Sequence, residues 1–130
     1  MTETLDLSRP VTLHLPKRLE IGAGTAARLG DWAADFDRIL VIAMPRSAPF
    51  VDRLKLRQTV TVFDGVQPEP KDTDLAAAID AARALKPDLI VGLGGGSVMD
   101  VAKLVAVLWG SDQSLTDVAG PNKVAGKCSA

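Results

Sequence analysis

The sequence predicts an α/β fold: a parallel sheet with helices on both of its faces. Three features of the chain predict it. Apolar β-prone runs alternate with helical patterns in units of roughly thirty residues, the length of a strand–helix–strand unit. Arg38-Ile39-Leu40-Val41-Ile42-Ala43 is apolar after its first residue, as expected for a strand covered on both sides. Asp88 to Lys103 passes from an apolar run through Gly94-Gly95-Gly96 into a helix opening at Ser97.

Taken in order, residues 1–10 read as a lead-in. Val11-Thr12-Leu13-His14-Leu15 alternates like a strand, Pro16-Lys17 turns it, and Arg18 to Gly22 alternates again. A small N-terminal antiparallel ribbon is therefore expected at the edge of the fold. His14 is the only histidine, and on an edge strand it reads as a surface or packing residue, because metal sites need several ligands. Gly22-Ala23-Gly24 reads as a tight turn, with Thr25 as N-cap of a helix to about Asp35 and Leu29, Trp32 and Ala33 on its apolar face.

After the strand Arg38–Ala43 comes the loop Met44-Pro45-Arg46, then a short helix from Ser47 to Leu54 with Phe50, Val51 and Leu54 inward. Gln58 to Phe63 is the next strand, and Pro68 and Pro70 stiffen the loop Val66–Lys71. A helix from about Thr73 to Leu85 carries Leu75, Ile79 and Ala82 at core spacing, and Lys86-Pro87 ends it before the strand at Asp88. The helix Val98–Trp109 is apolar nearly all round, so it expects neighbours on every side. Gly110 to Ala130 has no periodicity, and such a tail in a compact domain argues that the chain is the front part of a longer protein.

In parallel sheets, ligands sit beyond the carboxyl ends of the strands. The loops Met44–Arg46, Val66–Lys71 and Gly94–Ser97 should therefore converge on one site. A strand that stops on glycines and feeds a helix N-terminus suits an anion, most often a phosphate: the main chain passes close to it, and free N–H groups and the helix dipole point at it. The alternative is a purely structural glycine turn. The segment is neither G-x-G-x-x-G, since Ser97 and Met99 stand where a third glycine would fall, nor a P-loop. Two roles are likewise open to Asp100. It either reaches back to complete a capping box with Ser97, or faces the ligand and accepts from a ribose hydroxyl or a polar group near the reacting ring.

A net charge of −1 over 130 residues provides no basic excess for nucleic acid or an anionic membrane. The basic run Arg53-Leu54-Lys55-Leu56-Arg57 reads as a solvated helix end. Cys128 is the only cysteine, which excludes an intrachain disulfide. The first six residues lack the basic-then-apolar layout of a signal peptide, and no apolar run is long enough to span a bilayer, so a cytoplasmic protein is expected.

Gly94-Gly95-Gly96-Ser97-Val98-Met99-Asp100-Val101-Ala102-Lys103 resembles the Gly-Gly-Gly-Ser-x-x-Asp-x-x-Lys segment of the iron-containing (group III) alcohol dehydrogenases. Leu19-Glu20-Ile21-Gly22-Ala23-Gly24 is similar to that family's N-terminal strand and glycine turn, and Phe63 to Pro70 lies where it has a Pro-Asn-Pro loop. The resemblance covers nearly the whole chain in order and spacing; the glycine turn is also shared by glycerol dehydrogenases and dehydroquinate synthases, so that turn taken alone is family-level evidence only.

The resemblance implies a Rossmann-like NAD(P)-binding domain over residues 1–130. An all-helical domain would follow, in which an Asp and three His hold a divalent metal, iron or zinc. Hydride would pass between the nicotinamide of NAD or NADP and a small-molecule alcohol or aldehyde on that metal. It also implies a homo-oligomer, dimer or larger. Carried over by position, Gly95, Gly96 and Ser97 hold the pyrophosphate and Asp100 lies at the cofactor; no catalytic or metal-ligating residue falls in this stretch. Two positions depart from the pattern. Met44 stands where many members have an Asp that binds the adenosine ribose, and Glu69 replaces the asparagine of the Pro-Asn-Pro loop. Maleylacetate reductases, which often lack that ribose Asp, are a second reading, and a non-catalytic nucleotide-binding module a third.

Overall fold

A computed structural model describes residues 16–111. Three parallel strands, β1 (Arg38–Ala43), β2 (Thr59–Phe63) and β3 (Leu89–Leu93), form one sheet in the order β2-β1-β3. The helices are α1 (Leu29–Trp32), α2 (Asp72–Leu85) and α3 (Gly96–Leu108), with 3₁₀ turns at Thr25–Arg28 and Ala48–Leu54. The expected alternation of strand and helix is present, with boundaries within one or two residues for β1, β2, β3, α2 and α3.

The central strand organises both sides of the sheet. Leu40 and Ile42 pack with Leu75, Ala78 and Ala82 of α2 and Val98, Val101 and Val105 of α3. Ile39, Val41 and Ala43 point the other way, against Ala33, Phe36, Ala48 and Val51. All five β1 residues from Ile39 to Ala43 are fully buried, which is why this strand shows no polar alternation. Each of its Ile, Leu and Val side chains contributes about 1.5–3 kcal/mol of burial free energy. Alanines on α2 and α3 keep the two helices close over the sheet, and a Cβ on Gly92 of β3 would lie 3.0 Å from Ala102 Cβ.

Several local expectations are corrected. Arg18–Gly22 forms no strand, and Leu19 and Ile21 are exposed; no neighbouring strand among the described residues offers a ladder. The proposed partner Val11–Leu15, with His14, lies outside the described residues, as do Cys128 and most of the irregular tail. Thr25 does not cap a helix. Gly24 takes that place in the left-handed region (φ 75°), and Thr25 Oγ1 donates to the Gly22 carbonyl at 3.0 Å. The helix expected to reach Asp35 is a 3₁₀ turn and one α turn. Phe50 is exposed rather than inward, its ring lying under the Arg53 guanidinium at 4.6 Å, while Leu54 is buried as expected.

At the amino end of the sheet, Asp88 ties β3 to β1. Its carboxylate accepts from the Asp37 and Arg38 N–H groups, both at 2.8 Å, and its own N–H donates to the Arg38 carbonyl at 3.0 Å. The Asp37 N–H is the main cause holding the carboxyl below the usual carboxylate range. A depressed folded pKa stabilises the fold above about pH 4, and that contribution is lost as pH falls through the folded value. The site is solvent-exposed, so Asp88→Ala should cost only about 1 kcal/mol at neutral pH. Urea unfolding of the two proteins should show that difference at pH 7 and convergence in acid; an equal difference at both ends means the charge is not responsible.

Candidate functional site

The strand order places the switch of direction between β1 and β3, because β2 and β3 lie on opposite sides of β1. Register pairs Ala43 with Leu93, so β1 and β3 end at the same level. Hydrogen bonds then join the three loops beyond those ends. Ser47 Oγ donates to the Leu93 carbonyl at 2.7 Å, linking the β1 loop to the glycine turn. The Val66 N–H donates to the Ala43 carbonyl at 3.4 Å, linking the β2 loop to β1. Ser97 Oγ donates to the Pro68 carbonyl at 2.7 Å, linking the glycine turn to the β2 loop. The convergence expected from topology is thus held by three specific bonds.

The capping box, one of the two roles open to Asp100, does not form. α3 begins at Gly96 with Gly95 as its N-cap, and the Met99 N–H closes onto the Gly95 carbonyl at 3.0 Å. Ser97 is thereby the second helical residue, inside the helix rather than at its cap, and its hydroxyl goes to Pro68 instead. Asp100 falls past the first turn and is exposed. That removes the capping role from Asp100.

The two long helices that reach this end differ at their N-termini. α2 closes its own: the Asp74 carboxylate accepts the Lys71 N–H at 3.0 Å, and Asp72 and Asp74 bring negative charge into the first turn. α3 has neither a side-chain cap bond nor an acidic residue in its first turn. Its first N–H groups and its positive dipole end are uncompensated by side chains. That is the arrangement in which an anion from outside completes the helix.

The three glycines of the turn are not equivalent. Gly94 adopts φ 151°, and a Cβ there would meet Val98 Cγ2 at 3.0 Å. Gly94 is required by the fold. A Cβ on Gly95 or Gly96 meets nothing within 4 Å, and neither has a positive φ. No contact among the described residues calls for glycine at 95 or 96, so the bare backbone there leaves room for a group that is not part of the chain. The residues present fit a pyrophosphate.

Ser97 and Asp100 line a cleft of ≈ 270 Å³ between the N-terminal halves of α2 and α3, with Pro70, Lys71, Asp72 and Leu75 opposite them. Met44 lies at the carboxyl end of β1, partly buried against the α2–α3 core, whereas Arg46 and Glu69 are exposed. The structure therefore brings Gly95, Gly96, Ser97 and Asp100 together and places Met44 and Glu69 on the flanking loops. Ser47 escaped the sequence reading, although it is the only hydroxyl between Met44 and Phe50. Among the described residues no group of three or more His, Cys, Asp or Glu could hold a metal, and no helix is long and apolar enough to cross a membrane.

Comparison with known proteins agrees with this fold. The family model for iron-containing alcohol dehydrogenase matches residues 16–128. The 1-propanol dehydrogenase PduQ of Salmonella typhimurium is 32% identical over 107 residues, 79% of this chain and 28% of that protein. The crystal structure of a 1,3-propanediol oxidoreductase superposes with a TM-score of 0.75 at 27% identity, covering 82% of this chain and 30% of the other. Sulfoacetaldehyde reductase from Bifidobacterium kashiwanohense, solved with NAD+, gives a TM-score of 0.61 at 28% identity over 78% of this chain and 29% of its own. The chain spans less than a third of the length of each of these proteins.

Proposed function

The chain belongs to the iron-containing alcohol dehydrogenase family, and on that premise we propose that it is the NAD(P)-binding part of a metal-dependent alcohol dehydrogenase. The whole protein interconverts small alcohols with aldehydes or ketones. The observation that carries this reading is the uncapped N-terminus of α3 beside Gly95 and Gly96, where a bare backbone faces open space. The Gly95, Gly96 and Ser97 backbone holds the pyrophosphate, and Asp100 receives a hydroxyl or amide of the nicotinamide half. When bound, the nicotinamide carries the hydride and a divalent metal, iron or zinc, polarises the substrate oxygen. The metal ligands come from a helical domain beyond this stretch. The protein is cytoplasmic, as the sequence leads one to expect, and a dimer or larger, as the family resemblance implies.

Met44 and Glu69 bear on the choice of cofactor. Without a carboxylate at position 44, a 2′-phosphate meets no repulsion from that position, and Arg46 two residues on is exposed and able to pair with it. NADP is therefore tolerated alongside NAD, with the Glu69 carboxylate working against its 2′-phosphate. In the full-length protein, an alcohol and aldehyde panel should show oxidoreductase activity that a chelator removes and iron or zinc restores. The ratio of kcat/KM for NAD over NADP should stay below about 100, a gap of under ~2.8 kcal/mol. Inactivity across the panel would overturn the enzyme reading, and a larger ratio would remove the role assigned to Met44 and Arg46.

A further inference from the structure

We propose that Ser47 is a positioning residue for the dinucleotide, its hydroxyl setting the width of the crevice between β1 and β3. The inference rests on the reading of the glycine turn as the pyrophosphate cradle, and assigns to Ser47 a part in keeping that cradle in place.

The ladder between β1 and β3 ends at the pair Ala43 and Leu93. One residue further, the Met44 N–H donates to Ser47 Oγ at 3.0 Å, and that oxygen donates its own proton to the Leu93 carbonyl at 2.7 Å. A hydroxyl has one proton, so the Met44 carbonyl at 3.3 Å is the weaker of its two possible acceptors. The hydroxyl is thus spliced into the sheet where the strands part, taking a proton from one edge and giving one to the other. The hydroxyl bridges the two strands beyond their last direct pair. It also fixes the Leu93 carbonyl, and with it the plane of the Leu93–Gly94 peptide from which the turn departs. A Cβ on Gly94 would lie 3.3 Å from Ser47 Oγ and 3.0 Å from Val98 Cγ2, so both side chains pack closely on the face of the turn where glycine has no side chain.

Two further links support a role in the site rather than in the loop alone. Ser47 sits between Met44, on the ribose side, and Leu93, which leads into Gly95 and Gly96. Its other hydrogen bonds, from its own N–H to the Met44 carbonyl at 3.0 Å and from the Phe50 N–H to the Ser47 carbonyl at 2.9 Å, are main-chain bonds and survive loss of the hydroxyl. Removing the hydroxyl therefore frees the turn while leaving the loop conformation in place. A free turn must be ordered when the cofactor binds, which weakens binding without touching the chemistry.

The test uses the full-length protein with Ser47→Ala, Ser47→Cys and Ser47→Thr. Calorimetry with NAD+ should show about tenfold weaker binding for Ser47→Ala, with kcat at saturating cofactor changed less than twofold. Ser47→Thr, which keeps the hydroxyl, should bind within about twofold of wild type. Ser47→Cys fills the space with a weak hydrogen-bonding group and should resemble alanine, so it replaces that variant if alanine does not fold. Wild-type affinity in both alanine and cysteine variants overturns the proposal, as does a threonine variant no better than alanine. A wild-type protein that binds neither NAD nor NADP overturns the pyrophosphate reading itself, and the proposal with it.

Discussion

Gly96→Val should lower the affinity of the full-length protein for NAD(P) at least ~100-fold while changing its unfolding free energy by no more than about 0.5 kcal/mol. The two halves of this expectation come from the same observation. A Cβ at Gly96 meets no atom of the protein within 4 Å, and its backbone needs no left-handed angle. Valine at the first position of α3 is therefore accommodated without strain; its stiff χ1 is a small helix cost that loss of glycine flexibility offsets. The space it fills is open space at the first residue of α3, where on the proposed reading the pyrophosphate lies. A pyrophosphate held there at hydrogen-bond distance cannot share that space with two methyl groups, and a retreat of about 1 Å forfeits most of the bonds. Calorimetry with NAD+ and chemical unfolding of the same preparations separate the effects. Unchanged affinity would show that the glycine turn does not hold the cofactor.

How much of this was legible beforehand follows from the range of each interaction. β1 could be read from five apolar residues because burial on both faces leaves that mark on the sequence itself. α2 could be read from Leu75, Ile79 and Ala82, and its end from Lys86-Pro87, since spacing and a proline are local signals. The glycine turn is visible as a motif, but the cap of the helix after it is Gly95, two residues before the serine that reads as one. A serine before an apolar helix looks like a cap, and only the Pro68 carbonyl, 29 residues away, shows where its hydroxyl goes. Ser47 was invisible for the same reason: its bond to Leu93 spans 46 residues. Strand order decides which loops meet, and no local pattern encodes it. The N-terminal segment failed differently. Leu19 and Ile21 alternate as a strand would, yet both are exposed, so alternation reported neither pairing nor burial there.

Gly94→Ala is expected to act on the fold as strongly as Gly96→Val acts on the ligand. At φ 151° an alanine is strained by about 1–3 kcal/mol. Its methyl group would also lie 3.0 Å from Val98 Cγ2 and 3.2 Å from Val98 Cβ. Val98 is fully buried against β1 and α2 and has no room to withdraw, which adds about 1–3 kcal/mol of overpacking. A total of about 2–6 kcal/mol is a large share of the ~5–15 kcal/mol that keeps a domain folded. Urea unfolding should show a lower midpoint at an unchanged slope, because the loss lies in the native state. Gly95→Ala is the matched control: its methyl group meets nothing and its φ of −87° is ordinary, so its midpoint should barely move. Val98→Ala distinguishes the two sources of strain. Alone it is destabilising by its lost burial, but combined with Gly94→Ala it removes the nearer contact, to Cγ2, and leaves the one to Cβ, so the double variant should be more stable than the two single losses predict. Strict additivity would place none of the cost in the contact with Val98 Cγ2.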